Sequence, residues 1–169
     1  MVSLASSPIE QRTAEAASRD LKVLAVIDGT ERTGRIINYA LSLKGYGHTL
    51  QVVLLGVVPE PPTDRLRGYG TFKQAEVHGW LKENMRQRAV STVGRRLDQE
   101  KISHVDRVEV GDPTATILRV AREEGADLIL IGDVPPSIVQ RILPAIGLSI
   151  ATITSQVVQR ATVPVVVLK

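Results

Sequence analysis

Two short, nearly all-apolar runs stop abruptly in polar turns: Leu21 to Ile27 passes into Asp28-Gly29-Thr30, and Ala126 to Ile131 passes into Gly132-Asp133. Runs without alternation read as strands buried on both faces, the situation of a parallel sheet sandwiched between helices. The carboxyl ends of such strands line the crevice where open α/β folds hold ligands, nucleotides among them. Here the second turn continues straight into Pro135-Pro136. A phosphate cradle needs backbone N–H groups, proline has none, and Asp133 adds a negative charge at the same place. The pattern predicts a nucleotide-type scaffold whose phosphate grip is altered or lost.

From residue 21 onward strands and helices alternate. Lys22 to Ile27 is the first strand. Thr30 is placed as N-cap of a helix from Glu31 to about Lys44, with Ile36, Ile37, Ala40, Leu41 and Leu43 on one side. Leu50 to Val58 is a second buried strand, stopped by Pro59, Pro61 and Pro62. A long helix is predicted from about Phe72 to Lys101, its apolar face built from Val77, Leu81, Met85, Ala89, Val93 and Leu97 at steps of four. Arg86, Arg88, Arg95 and Arg96 fall off that face and read as a solvated surface, and Trp80 as a helix-surface residue or local packing anchor. Val105 to Val110 alternates in polarity and is placed at a sheet edge. Asp112 and Pro113 suit the N-cap and first position of the next helix, with Ile117, Leu118 and Ala121 inward. Leu128 to Ile131 is strand four, residues 133–161 a broken helical crossover, and Val163 to Leu168 strand five. Repeated right-handed crossovers of this kind give a doubly wound parallel sheet.

A chain of 169 residues buries one substantial core, so residues 21–169 form one domain. Residues 1–20, rich in Ser, Ala and charge without apolar periodicity, read as a flexible leader. The sequence has no cysteine, which excludes disulfides, thiolate metal sites and cysteine nucleophiles, and points to a reducing compartment. His48, His78 and His104 lie too far apart in sequence to suggest a metal site. No stretch approaches the roughly 20 apolar residues of a membrane span and the N-terminus lacks a secretory apolar core, so the expected location is cytoplasmic, with no membrane partner. The net charge of +3 comes without alternating basic and aromatic residues, and no nucleic-acid partner is expected.

The pieces KVLAVIDGTERT, LLGVV, VGDPTATIL, ADLILIG and QVVQRATVPVVVLK, in this order and spacing, resemble the universal stress protein family over residues 21–169. The resemblance implies a Rossmann-like α/β fold: a doubly wound five-stranded parallel sheet in order 3-2-1-4-5, helices on both faces, with dimers common and ATP bound by some members only. In ATP-binding members an acid at the end of strand one and backbone groups at the end of strand two hold adenosine. Those positions correspond here to Asp28 and Val57. A carboxylate accepts from an adenine amino group or a ribose hydroxyl, and a strand backbone reads the adenine edge. Equally, Asp28 suits a cap for the following helix, and Val57 a buried strand residue. Gly111 resembles the family glycine before the third helix, or serves a tight turn.

The family's phosphate motif is Gly, two residues, Gly, nine residues, Gly, then Ser or Thr. Counted from Gly132, the second and third glycines are replaced by Pro135 and Ala145. Counted back from Ala161-Thr162-Val163-Pro164, the final segment falls on Ala151-Thr152-Ile153-Thr154, which keeps the hydroxyls of Thr152 and Thr154 but no glycine. Each charge-assisted hydrogen bond is worth roughly 1.5 to 3 kcal/mol. Losing two donors therefore costs several kcal/mol against a triphosphate unless Arg141 or another base compensates.

The candidate binding residues are thus Asp28, Val57, Gly111, Gly132, Thr152 and Thr154, for ATP or another adenine nucleotide, with no cofactor required and no catalytic or metal-ligating residue assigned. The apolar insert Ile138 to Leu148 reads as a plug over the crevice, an interface for a protein partner, or packing against its own domain. Strand five, Val163 to Leu168, exposes an edge suited to homodimer pairing. The expected function is a stress-protein-like regulatory module with weak or no ATP binding. The alternatives are a nucleotide-binding protein with slow ATP hydrolysis, and a phosphoacceptor domain built on Asp28.

Overall fold

The computed structural model describes residues 20–44, 49–60, 74–133 and 150–169. Strand β1 (Leu21–Ile27) leads into helix α1 (Glu31–Lys44), and strand β2 (Leu50–Val58) precedes the long helix α2. Helix α2 is an α-helical run Gln74–Met85, a π-helical turn Arg86–Val90 and a second α-helical run Ser91–Gln99. Then come β3 (Ser103–Val110), α3 (Pro113–Glu123), β4 (Leu128–Gly132), α4 (Ile150–Arg160) and β5 (Val165–Leu168). The sheet has the order β3-β2-β1-β4-β5 and every pairing is parallel.

Alternate residues of the strands feed two cores. Val23, Ala25 and Ile27 of β1 pack with Ile36, Ile37 and Ala40 of α1 and with Ala89, Val90, Val93 and Leu97 of α2. On the other face Leu24, Val53 and Leu55 meet Ile117, Leu118 and Val120 of α3 and Val157 of α4. Both faces of the sheet are therefore covered, which is why its central strands are apolar at nearly every position, Lys22 and Gln51 near their starts being the exceptions.

Several elements are longer or shorter than the sequence suggests. β3 begins at Ser103 rather than Val105, because ladder pairing of Ser103 with Gln51 extends an edge strand whose side chains are polar. β5 begins at Val165 rather than Val163, since Thr162 and Val163 form a bend ahead of Pro164. Residues 1–19 of the expected leader, Gly45 to His48, the loop at 61–73 and the crossover residues 134–149, with Pro135, Pro136, Arg141, Ala145 and the apolar insert, lie outside the described residues.

The steps-of-four stripe on α2 has a local solution. An α-helix advances about 100° per residue, so each step of four drifts by roughly 40° and a straight helix loses the stripe after a few turns. The under-wound π turn takes up that drift. Val77, Leu81 and Met85 are half-buried before it, whereas Ala89, Val90, Val93 and Leu97 are buried within and after it. Trp80 is a surface residue, 65% exposed. The edge strand β3 is tied down by Arg107, which donates to Glu109 at 2.9 Å and to Glu123 and Glu124 at the end of α3 at 3.0 and 2.9 Å. The Glu109 bond, opposed by burial and helped by Glu124 and Glu123, raises the guanidinium pKa further above its ordinary value.

Candidate functional site

At the sheet's carboxyl edge the chain leaves β1 and β4 in opposite directions, which opens the crevice expected of a doubly wound sheet. Asp28 follows the last residue of β1, and its carboxylate is consumed locally. Oδ1 accepts from the Thr30 backbone N–H at 2.9 Å, the Thr30 hydroxyl at 2.6 Å and the Thr33 hydroxyl at 3.2 Å. Oδ2 accepts from Arg32 Nη2 at 2.6 Å. Burial opposes ionisation of this carboxyl, but the hydrogen bonds from Thr30 and Arg32 and the arginine's charge outweigh it, so the pKa lies below the ordinary value. In return the Thr33 hydroxyl accepts from the backbone N–H groups of Asp28 and Gly29, at 3.3 and 3.1 Å. The turn is a closed hydrogen-bonded unit. Thr30 occupies the expected cap position, with its own hydroxyl donated to Asp28.

Gly29 completes that turn in a backbone conformation that favours glycine. Its φ is +73°, and an added Cβ would stand 3.2 Å from the Cβ of Ala89 in the π turn.

Arg32 is the residue that the sequence reading missed. From the first turn of α1 it reaches across to β4, where a Cβ on Gly132 would come within 3.1 Å of its Cδ and 3.2 Å of its Cβ. Its side chain is only 11% exposed, and Nε is buried without a hydrogen-bond partner among the described residues. The missing side chain of Gly132 thus makes room for this chain's own arginine. The available sequence signal was the Asp28–Arg32 spacing of four, which puts the two charges within reach of each other.

The other predicted residues are more dispersed. Val57 is a half-buried residue of β2, paired with Glu109 of β3 and packed on the second core. Gly111 donates its N–H to the Val58 carbonyl at 3.0 Å and has a φ of +151°, the geometry of a strand-to-helix turn. Asp112 caps α3, its side chain accepting from the Ala115 N–H at 2.7 Å. Thr152 lies in the first turn of α4, and Thr154, one turn in, is 7% exposed with its hydroxyl buried and unpartnered among the described residues. Asp133 donates its N–H to the Leu168 carbonyl at 2.7 Å, which ties the end of β4 to β5.

The order 3-2-1-4-5, the covered faces and the crevice between β1 and β4 define a doubly wound α/β protein of the Rossmann type. The family model described as "Universal stress protein family" matches residues 21–169, and the chain belongs to that family. Among solved structures it is similar to the hypothetical protein MJ0577, with 23% identity, TM-score 0.65 and coverage of 88% of this chain and 94% of that one. A universal stress family protein from Burkholderia pseudomallei shares 19% identity at TM-score 0.63, covering 87% and 94% of the two chains. The universal stress protein from Archaeoglobus fulgidus, solved with dAMP, shares 17% identity at TM-score 0.58, covering 89% and 98%. At such identities these likenesses speak for the fold. Among curated proteins none matches this chain. No described helix is long and apolar enough to cross a membrane.

Proposed function

We propose that this chain is a homodimeric regulatory or interaction module of the universal stress type that binds adenine nucleotides weakly or not at all. The observation that carries this reading is Arg32, which spans the crevice from Asp28 to Gly132. A carboxylate that already accepts four hydrogen bonds has little capacity for a base or ribose. Backbone approach to Gly132 requires first displacing the arginine. The prolines at 135 and 136 add a loss of N–H donors after Asp133.

The dAMP carried by the Archaeoglobus fulgidus protein supports the second reading, that an adenine nucleotide also binds here. In that case Arg32 swings off Gly132, and its Nε, buried and unpartnered among the described residues, gains an acceptor on the ligand. Thermal shift with ATP, ADP and AMP plus magnesium separates the two. A ligand at a hundred times its dissociation constant adds about 2.7 kcal/mol of stability. The expected result is no shift for the wild type at millimolar ATP and a shift for Arg32→Ala carrying Pro135→Gly and Pro136→Gly. Micromolar binding by the wild type that Arg32→Ala abolishes would establish the second reading instead.

A further inference from the structure

A groove of about 240 Å³ lies between α1 and α2, beside the turn that follows β1. Arg32 and Gly34 project about 200° apart around α1, so the arginine faces Gly132 while Gly34 opens on the groove. One wall of the groove carries Arg88, Thr92 and Arg96, at successive steps of four along α2 through the π turn. The opposite wall is Thr30 and Gly34, and the floor includes Ile37 and Val93. Neither Asp nor Glu lines it.

The state of the two arginines is what points to a ligand. Arg88 makes no hydrogen bond or ion pair among the described residues, and Arg96 is engaged only by the neutral side chain of Asn38, at 2.6 Å. By contrast, at the β3 edge Arg107 has three acidic partners and Arg119 two. The groove therefore holds two positive charges with no acid in its lining, beside the Thr92 hydroxyl, and Asp28 in the adjoining turn is neutralised by Arg32. Above Gly34 the space is empty, since an added Cβ would meet nothing within 4 Å. The π turn, a helix defect that recurs at functional sites, displaces Arg88 from ordinary α-helical register.

We propose that this groove binds a small phosphate monoester, its phosphate between Arg88 and Arg96 and its short carbon body on Ile37 and Val93. Two guanidinium groups and a hydroxyl match a tetrahedral dianion in charge and in number of acceptors. The volume lies below the roughly 300 Å³ at which drug-sized pockets begin, which selects a body of a few carbons. The site shares the Gly29, Thr30 and Thr33 turn with the nucleotide crevice but takes its positive charge from α2, and it does not require ATP to bind.

The test is an amide NMR titration of the full chain with glycerol 3-phosphate at low ionic strength, with glycerate as the carboxylate counterpart. Saturable shifts at Gly29, Thr30 and Thr92 are expected, with glycerate at least about tenfold weaker. Arg88→Gln, which removes one charge-assisted contact, should weaken binding about tenfold or more. Gly34→Leu should do the same by filling the groove without changing charge, and it raises helix propensity, so folding is preserved. Arg95→Gln, on the same helix but outside the lining, should change affinity less than about twofold. No saturable shift up to tens of millimolar, equal affinity for glycerate, or equal weakening by Arg95→Gln would each overturn the proposal.

Discussion

Asp28 shows how a residue of ambiguous sequence meaning acquires a definite role from its neighbours. Its carboxyl titrates below its unfolded value, so its stabilising bonds are fully present above about pH 4 and are lost as pH falls through the lower folded value. Asp28→Asn should lower stability by about 1 kcal/mol near neutral pH, the usual worth of a cap, because the group is partly solvated. The gap between the two proteins should narrow as pH falls below about 4, as denaturant unfolding across an acid pH series would read. Gly29→Ala, forced to positive φ against Ala89, should cost about 1 to 2 kcal/mol in the same assay. The capping role of Asp28 was legible in Asp-Gly-Thr because turn chemistry is local. The placement of Arg32 on Gly132 was not, since it joins residues a hundred positions apart through the pairing of β1 with β4.

Helix α2 carries the clearest lesson at the level of elements. The sequence places six apolar residues four apart, and that spacing marks the face without saying how a helix keeps it. The π turn divides the helix, and core contact is deeper after it. Leu97→Ala should therefore cost about 2 to 5 kcal/mol and Leu81→Ala distinctly less, measured by urea unfolding. Equal losses would mean that the stripe is uniformly buried. At the start of α3, Asp112→Ala should cost about 1 kcal/mol, because the Ala115 N–H loses its acceptor. Caps such as this are read readily from sequence, as Asp-Pro before an apolar helix face is a two-residue signal. Edge strand β3 is harder to delimit: its ladder bonds come from the backbone, which any residue but proline supplies.

Across the whole molecule, β5 closes one side of the sheet and, among the described residues, pairs only with β4. The carbonyls of Pro164 and Leu168 point to β4, so the backbone groups of Val165 and Val167 point outward. If the proposed homodimer forms along this edge, Val167→Pro should convert it to a monomer while leaving the β4 ladder intact. Light scattering after size exclusion reads the mass, and a dimer unchanged by the substitution would move the interface elsewhere. The sequence by itself determined the alternation of strands and helices, the apolar centre of the sheet and the polar turns at its carboxyl edge. Those follow from periodicity and backbone chemistry within a few residues. Only tertiary structure decided what fills the crevice and where the groove beside it lies, because both arise where segments distant in sequence meet: Arg32 over Gly132, and Arg88 and Arg96 facing the first turn of α1.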